Sequence, residues 1–358
     1  MDFNNSNPIW KKGIMALCIA LALSACDNKK EESVQPVASA SSAETAQDSS
    51  VAGKIEQLAN KAKDETVQDP EEVISVKMNA YVECYNSLDG SIHGSMSRYA
   101  SWLNDWEKGP TGKESVVYGL YSVRQDSVAD CQERIKKVAA MTPALKPIDD
   151  IAVSYIDKSA KIVSEINPLK RYYEQEDYKD DAFAKGKEKH PQLIAAYNEF
   201  DPISEEYSEA IEKMNDERQS LVLQQMEKEG DLTLDYYSLA IIFEAKKIRQ
   251  MVDRDAFNAA QALAMVAKLQ NKAASALPLI EELKKAGDLS YMRYKSLLRQ
   301  TDEYAKAAKE RIRRVRDKVP YTSGEKMNLG GIGEWMVDGS PSKLLKAYNR
   351  LIEEFNRL

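Results

Sequence analysis

Two histidines, four cysteines and 57 carboxylates are the residues with which this chain of 358 could do chemistry. His93 and His190 stand far apart, and neither lies in a His-Glu-x-x-His, Cys-His or Ser-His-Asp context. Histidine-centred zinc binding or triad catalysis is therefore not indicated, and both rings are expected on polar surface or in loops. Lys108-Gly109-Pro110-Thr111-Gly112-Lys113-Glu114 has the outline of a phosphate loop, but Glu107 replaces its first glycine and Glu114 the hydroxyl residue that would bind magnesium. A turn in which Gly109 or Gly112 takes a positive φ fits better. Gly330-Gly331-Ile332-Gly333 lacks the dinucleotide fingerprint, since Met336 occupies the last glycine position. With so many acids, coincidental carboxylate pairs are inevitable and none has a recognisable setting. The expectation is a protein that is not an enzyme, with no catalytic residue, metal site or cofactor.

Two patterns point to binding instead. Tyr99, Trp102 and Trp106 are spaced to put three rings on one helical face, where they would stack on a sugar or small ligand, or form core. Lys306, Lys309, Arg311, Arg313, Arg314, Arg316 and Lys318 form a basic run opposed locally only by Glu310 and Asp317. It would meet anionic headgroups or a phosphate-bearing polymer, or be a solvated face paired with acids such as Glu174, Glu176, Asp177, Asp180 and Asp181. The chain as a whole has a net charge of −7, which disfavours nucleic acid as a partner.

At the N-terminus, Lys11 and Lys12 precede an apolar run, Ile14 to Leu23, too short to span a bilayer, and the run closes on Leu23-Ser24-Ala25-Cys26. Small residues before a cysteine make a lipobox, so residues 1–25 read as a cleaved signal peptide and Cys26 as the lipidation site. An ordinary secretory signal would export the domain equally. Each buried methylene of an acyl chain contributes about 0.8 kcal/mol, so two or more chains anchor stably. Asp27, directly after the cysteine, is the residue type that retains enterobacterial lipoproteins in the inner membrane, which would leave the domain facing the periplasm. Excision removes Lys11 and Lys12 against Asp2, making the chain one unit more negative. Cys84 and Cys131 are then the free thiols in an oxidising compartment. Their pairing would stabilise by about 4 kcal/mol in the chain-entropy model; two separately buried thiols are the alternative.

These features need elements to position them. Residues 26–69 lack aromatics and read as a tether, with an end-to-end distance of about 35–40 Å, which a short helix from Val51 to Lys63 would interrupt. Asp69-Pro70-Glu71-Glu72 reads as an N-cap followed by a proline at the first helical position, so the folded domain spans 70–358. Helical stripes recur beyond it: Ile74, Met78, Tyr81, Tyr85 and Leu88; Leu298, Thr301, Ala305, Ala308, Ile312 and Val315; and Leu344 or Leu345, Tyr348, Leu351 or Ile352, and Phe355. Thr142-Pro143 and Ser340-Pro341 are expected to open helices, and Gly230 and Gly287 to close them ahead of a capping Asp. Pro168, Pro191, Pro202 and Pro278 predict kinks or breaks. The pattern predicts an all-α, elongated antiparallel bundle of about eight helices, or two packed sub-bundles dividing near 230.

From Pro70 onward the chain resembles the YiiG-like family of bacterial lipoproteins, whose domain has no known function. The resemblance is carried by Lys108-Gly-Pro-Thr-Gly112, Met141-Thr-Pro-Ala-Leu145 with Val153-Ser-Tyr-Ile-Asp157, Tyr178-Lys-Asp-Asp-Ala-Phe-Ala-Lys-Gly-Lys187, Tyr236-Tyr-Ser-Leu-Ala240 and Arg316-Asp-Lys-Val-Pro-Tyr321. It implies a lipidated helical protein and supplies no catalytic residues. The functional expectation is a membrane-anchored, non-catalytic interaction module of the cell envelope, with a protein or envelope polymer as partner. A small-ligand or glycan binder with a cleft between bundles is the alternative.

Overall fold

In the computed structural model, residues 69–331 and 333–358 are described. They fall into two compact units, 69–214 and 215–358. The signal peptide, Cys26, the tether and the Val51–Lys63 helix lie outside the described residues.

The first unit contains α1 (Pro70–Trp102), α2 (Gln125–Ala139), α3 (Ile148–Glu174) and the first part of α4 (Ala184–Glu229). Asp69 caps α1 by accepting from the Glu71 amide at 3.0 Å, with Pro70 in the first turn, as the sequence predicts. Tyrosines dominate the core. Tyr81, Tyr155, Phe200 and Tyr207 are all fully buried, and the Tyr155 and Tyr207 rings lie 4.6 Å apart. The Tyr207 hydroxyl donates to the Tyr81 carbonyl at 3.1 Å, so the rings contribute apolar area without leaving that polar end unpaired. Cys84 of α1 and Cys131 of α2 are joined by a disulfide with a Cα separation of 5.6 Å. The connection between α1 and α2 has no strand partner, so side chains take up its carbonyls: Ser95 that of Tyr121 (2.9 Å), Arg98 that of Tyr118 (2.9 Å) and Trp102 that of Gly119 (3.1 Å). Asn167 of α3 bonds both the amide and the carbonyl of Val123, at 3.1 and 2.9 Å.

The second unit contains the rest of α4, then α5 (Leu234–Val252), α6 (Ala259–Lys285), α7 (Tyr291–Arg316), the one-turn α8 (Ser323–Lys326) and α9 (Pro341–Phe355). Helix α5 packs against α6, α7 and α9. That central place explains its apolar run Leu239–Phe243, buried along its whole length. The stripes on α7 and α9 face inward: Thr301, Ala308, Ile312 and Leu351 are fully buried. Ser340 caps α9 by accepting from the Lys343 amide at 3.1 Å.

All nine helices among the described residues are α-helical segments of a bundle, eight of them long. Several local expectations are corrected. Of the kinks or breaks expected at Pro168, Pro191, Pro202 and Pro278, the breaks do not occur: α3, α4 and α6 run through them. A proline in mid-helix costs roughly 3 kcal/mol, which the burial of two apolar side chains offsets. Thr142-Pro143 does not open a helix: it and Lys146-Pro147 are cis peptides in the turn before α3. Gly230 and Gly287 do close their helices, at φ +71° and +74°, but Thr233, not Asp231, caps α5. The two units part at Met214 and Asn215, inside α4 and upstream of Gly230, where neither glycine nor proline marks the chain.

Candidate functional site

The aromatic residues come together, Tyr99 and Trp102 on one face of α1 and Trp106 beyond its end. Helix α1 ends at Trp102, Leu103 turns to extended backbone, and Trp106 sits in a following turn held by Asp105, whose carboxylate accepts from the Glu107 and Lys108 amides at 3.0 and 3.3 Å. Tyr99 is fully buried and Trp102 is 5% exposed, and only Trp106 is half-buried. Protein rings occupy the space a ligand would need: Tyr173 lies 5.2 Å from Trp102 and 6.1 Å from Tyr99, and His190 5.8 Å from Tyr99. The stacking reading is thereby corrected, because Tyr99 and Trp102 present no free face and act as core.

The adjoining glycine loop serves this core. His190 is in α4, not a surface loop; its Nδ1 lies 3.0 Å from the Tyr99 hydroxyl, and its burial lowers its pKa. Gly109, at φ +69°, passes so close to His190 that a Cβ there would stand 2.5 Å from the ring. The amides that a phosphate loop would offer to a ligand are already taken: the Glu114 carboxylate accepts from the Thr111 amide (2.6 Å), the Thr111 hydroxyl (2.8 Å) and the Gly112 amide (2.8 Å). Burial would raise the Glu114 carboxyl, but these bonds outweigh it and lower its pKa.

The basic run splits by helical face. Arg311, 4% exposed, is not a surface residue, which corrects its place in the binding patch. It donates to the Val252 and Asp253 carbonyls at 3.2 and 3.4 Å and to Asp255 at 2.5 Å, closing the C-terminal end of α5. Lys309 bonds Gln270 at 2.6 Å. Arg314 pairs with Glu325 at 2.6 Å and lies over the Tyr321 ring, and Arg316 meets Asp317 through two 2.7 Å bonds. Arg313 and Lys318 remain exposed. The acids expected to oppose this run are engaged in the first unit, Glu174 with Lys170, Glu176 with Lys179 and Asp181 with Tyr172.

Two polar clusters escape sequence reading. His93 lies inside α1 rather than on a loop, with Asp89 one turn earlier and Tyr197, Asp201 and Ser204 of α4 facing it. Its Nδ1 is 3.2 Å from the Tyr197 hydroxyl and its Nε2 3.3 Å from the Ser204 hydroxyl. Burial would lower its pKa, but hydrogen bonding and charge from Asp89, with the charges of Asp201 and Glu205, raise it overall. Ser204 is buried and donates to Asp89. Spacing gave a hint, since Asp89 and His93 are four apart, and Tyr197, Asp201 and Ser204 share a face of α4. The second cluster is a buried ion pair between Lys77 and Asp149 at 2.9 Å. Among the described residues no group of three or more His, Cys, Asp or Glu could hold a metal ion.

The residues after α7 include several exposed large apolar side chains. Val319, Met327, Trp335 and Met336 are 49, 86, 42 and 56% exposed. Lys318 and Lys326 lie exposed on the same stretch, and Arg313 is exposed in the last turn of α7.

Comparison with known proteins adds a family but no chemistry. Residues 72–357 match the family described as "Protein of unknown function (DUF3829)". The chain belongs to this family. It is 38% identical to the Escherichia coli (strain K12) "Uncharacterized protein YiiG", over 98% of this chain and 99% of that one. No solved structure matches.

Proposed function

We propose that the protein is a lipid-anchored envelope protein, cleaved before Cys26, acylated there and held on the periplasmic side of the inner membrane, whose helical region is a non-catalytic interaction module. The observation that carries this reading is the junction Leu23-Ser24-Ala25-Cys26 after a short apolar run, followed at once by Asp27-Asn-Lys-Lys-Glu-Glu. Among the described residues no helix is long and apolar enough to cross a membrane, which is compatible with an anchor of another kind. Of the three rings that motivate the glycan alternative, Tyr99 and Trp102 are buried and Trp106 is half-buried.

The test is acyl labelling of the full chain in a bacterium with two membranes, using a clickable palmitate analogue. The wild type takes up label and partitions into the inner-membrane fraction, and Cys26→Ala loses both. Unlabelled wild-type protein, or label that persists in Cys26→Ala, refutes the anchor.

A further inference from the structure

The segment 317–340, between α7 and α9, exposes large apolar side chains without being loose. A capping box at Thr322 and Glu325 fixes α8, Arg314 binds Glu325 and covers Tyr321, and the Ser340 hydroxyl donates to the Glu334 carbonyl at 2.8 Å. Val337 is buried, and Gly339 lies against α7, where a Cβ would be 3.0 Å from the Glu310 carbonyl. The Lys346 ammonium sits 2.9 Å above the Trp335 ring, holding the indole at the surface. Met327, Trp335 and Met336 are thus presented outward by an ordered base.

The charges around them are one-sided. Residues 313–350 hold eight basic and four acidic side chains, in a chain of net −7. The four acids are used internally: Asp317 by Arg316, Glu325 by Arg314, Glu334 by the Gly330 amide and Asp338 by Lys343. Arg313, Lys318 and Lys326 are exposed and form no ion pair among the described residues. At the other end of α7, Leu289 and Met292 are also exposed, but residues 281–295 hold four basic side chains against three acidic ones, a smaller positive excess than the eight against four of 313–350.

We infer that this segment docks on the anionic leaflet of a bilayer, Met327, Trp335 and Met336 entering the headgroup–acyl boundary while Arg313, Lys318 and Lys326 meet lipid phosphates. Charge complementarity selects the occupant: exposed basic groups close in sequence to exposed Trp and Met side chains match an interface that is anionic outside and apolar beneath. The inference rests on the lipid-anchor reading for the nearness of that leaflet, since attachment of the same chain to the membrane keeps its local concentration there high.

The test uses the full lipidated chain in nanodiscs of equal parts phosphatidylcholine and phosphatidylglycerol, or of phosphatidylcholine alone. An environment-sensitive dye is placed through Met327→Cys, and in a second protein through Leu289→Cys. On anionic discs the dye at 327 should shift to the blue and its quenching by aqueous iodide fall severalfold, an effect reversed by Lys318→Glu with Lys326→Glu and by high salt. The dye at 289 should stay aqueous. A water-like signal at 327 on anionic discs overturns the proposal, as does a blue shift that survives the charge reversals. A photo-crosslinking residue at 327 that captures a discrete protein in cells, instead of phospholipid, overturns it too. Acylation at Cys26 is read separately by the mass of the same preparation, so failure of docking and failure of the anchor give different results.

Discussion

Replacing Lys77 by methionine should unfold much of the first unit's margin of stability, and the size of the effect follows from its contacts. The ammonium is fully buried and uses all three protons, donating to Asp149 at 2.9 Å and to the Met141 and Pro143 carbonyls at 3.1 Å each. Asp149 also accepts from the Leu145 amide at 2.7 Å and the Tyr81 hydroxyl at 2.5 Å. Methionine fills the same volume without charge, so Asp149 stays buried with no counter-ion and two carbonyls lose their donor. Breaking such a pair from one side costs about 3–5 kcal/mol, a large part of a typical domain stability of about 5–15 kcal/mol. Removing both charges with Lys77→Met and Asp149→Leu should cost less than the sum of the single changes by about 2 kcal/mol or more. Urea unfolding followed by tryptophan fluorescence in a Trp10→Phe, Trp335→Phe background reports this unit, because the remaining Trp102 and Trp106 both lie in it. A Lys77→Met protein within about 1 kcal/mol of wild type, or a double variant as unstable as the sum, would refute the reasoning.

Other consequences can be measured on the same protein. Arg311→Ala should destabilise the second unit by about 2–3 kcal/mol, having removed charged hydrogen bonds to the end of α5, whereas Arg313→Ala should change it by less than about 0.5 kcal/mol; equal effects in thermal unfolding would contradict the division of the basic run by face. Gly109→Ala should cost about 2 kcal/mol or more through its positive φ and the clash with His190, and His190→Ala should relieve part of that in a double-variant melt. The raised pKa of His93 sets a sign: its stabilisation is fully present below the unfolded value of about 6.5 and is lost as pH rises through the folded value. His93→Gln should abolish that loss in urea midpoints taken from pH 5 to 8, relative to wild type. The lowered pKa of His190 adds a slope of opposite sign, present in both proteins and cancelled by the comparison.

Much of the fold was legible because its signals act within one or two turns. Asp69, Ser340, Gly230 and Gly287 end or begin helices through hydrogen bonds to residues two to five positions away, so their meaning travels with the local sequence. The α7 stripe was readable for the same reason, and its period also assigns Arg311, three positions after Ala308, to the buried side. The pairing of Cys84 with Cys131 was open in the sequence and closed only by the packing of α1 on α2. The candidate sites were less legible. Tyr99 and Trp102 look alike as core or as ligand platform until Tyr173 and His190 arrive from elements some 70 to 90 residues later to cover them.

The sequence alone determined the helical class, several helix ends and the apolar faces, because hydrogen bonds along a helix and its side-chain period are local. Only the tertiary structure decided that four prolines would be carried through helices, that Lys77 would be buried against Asp149, and that His93 would meet Ser204. In each case the partners are distant in sequence, and the packing free energy gained when helices meet is large enough to override a local preference of a few kcal/mol.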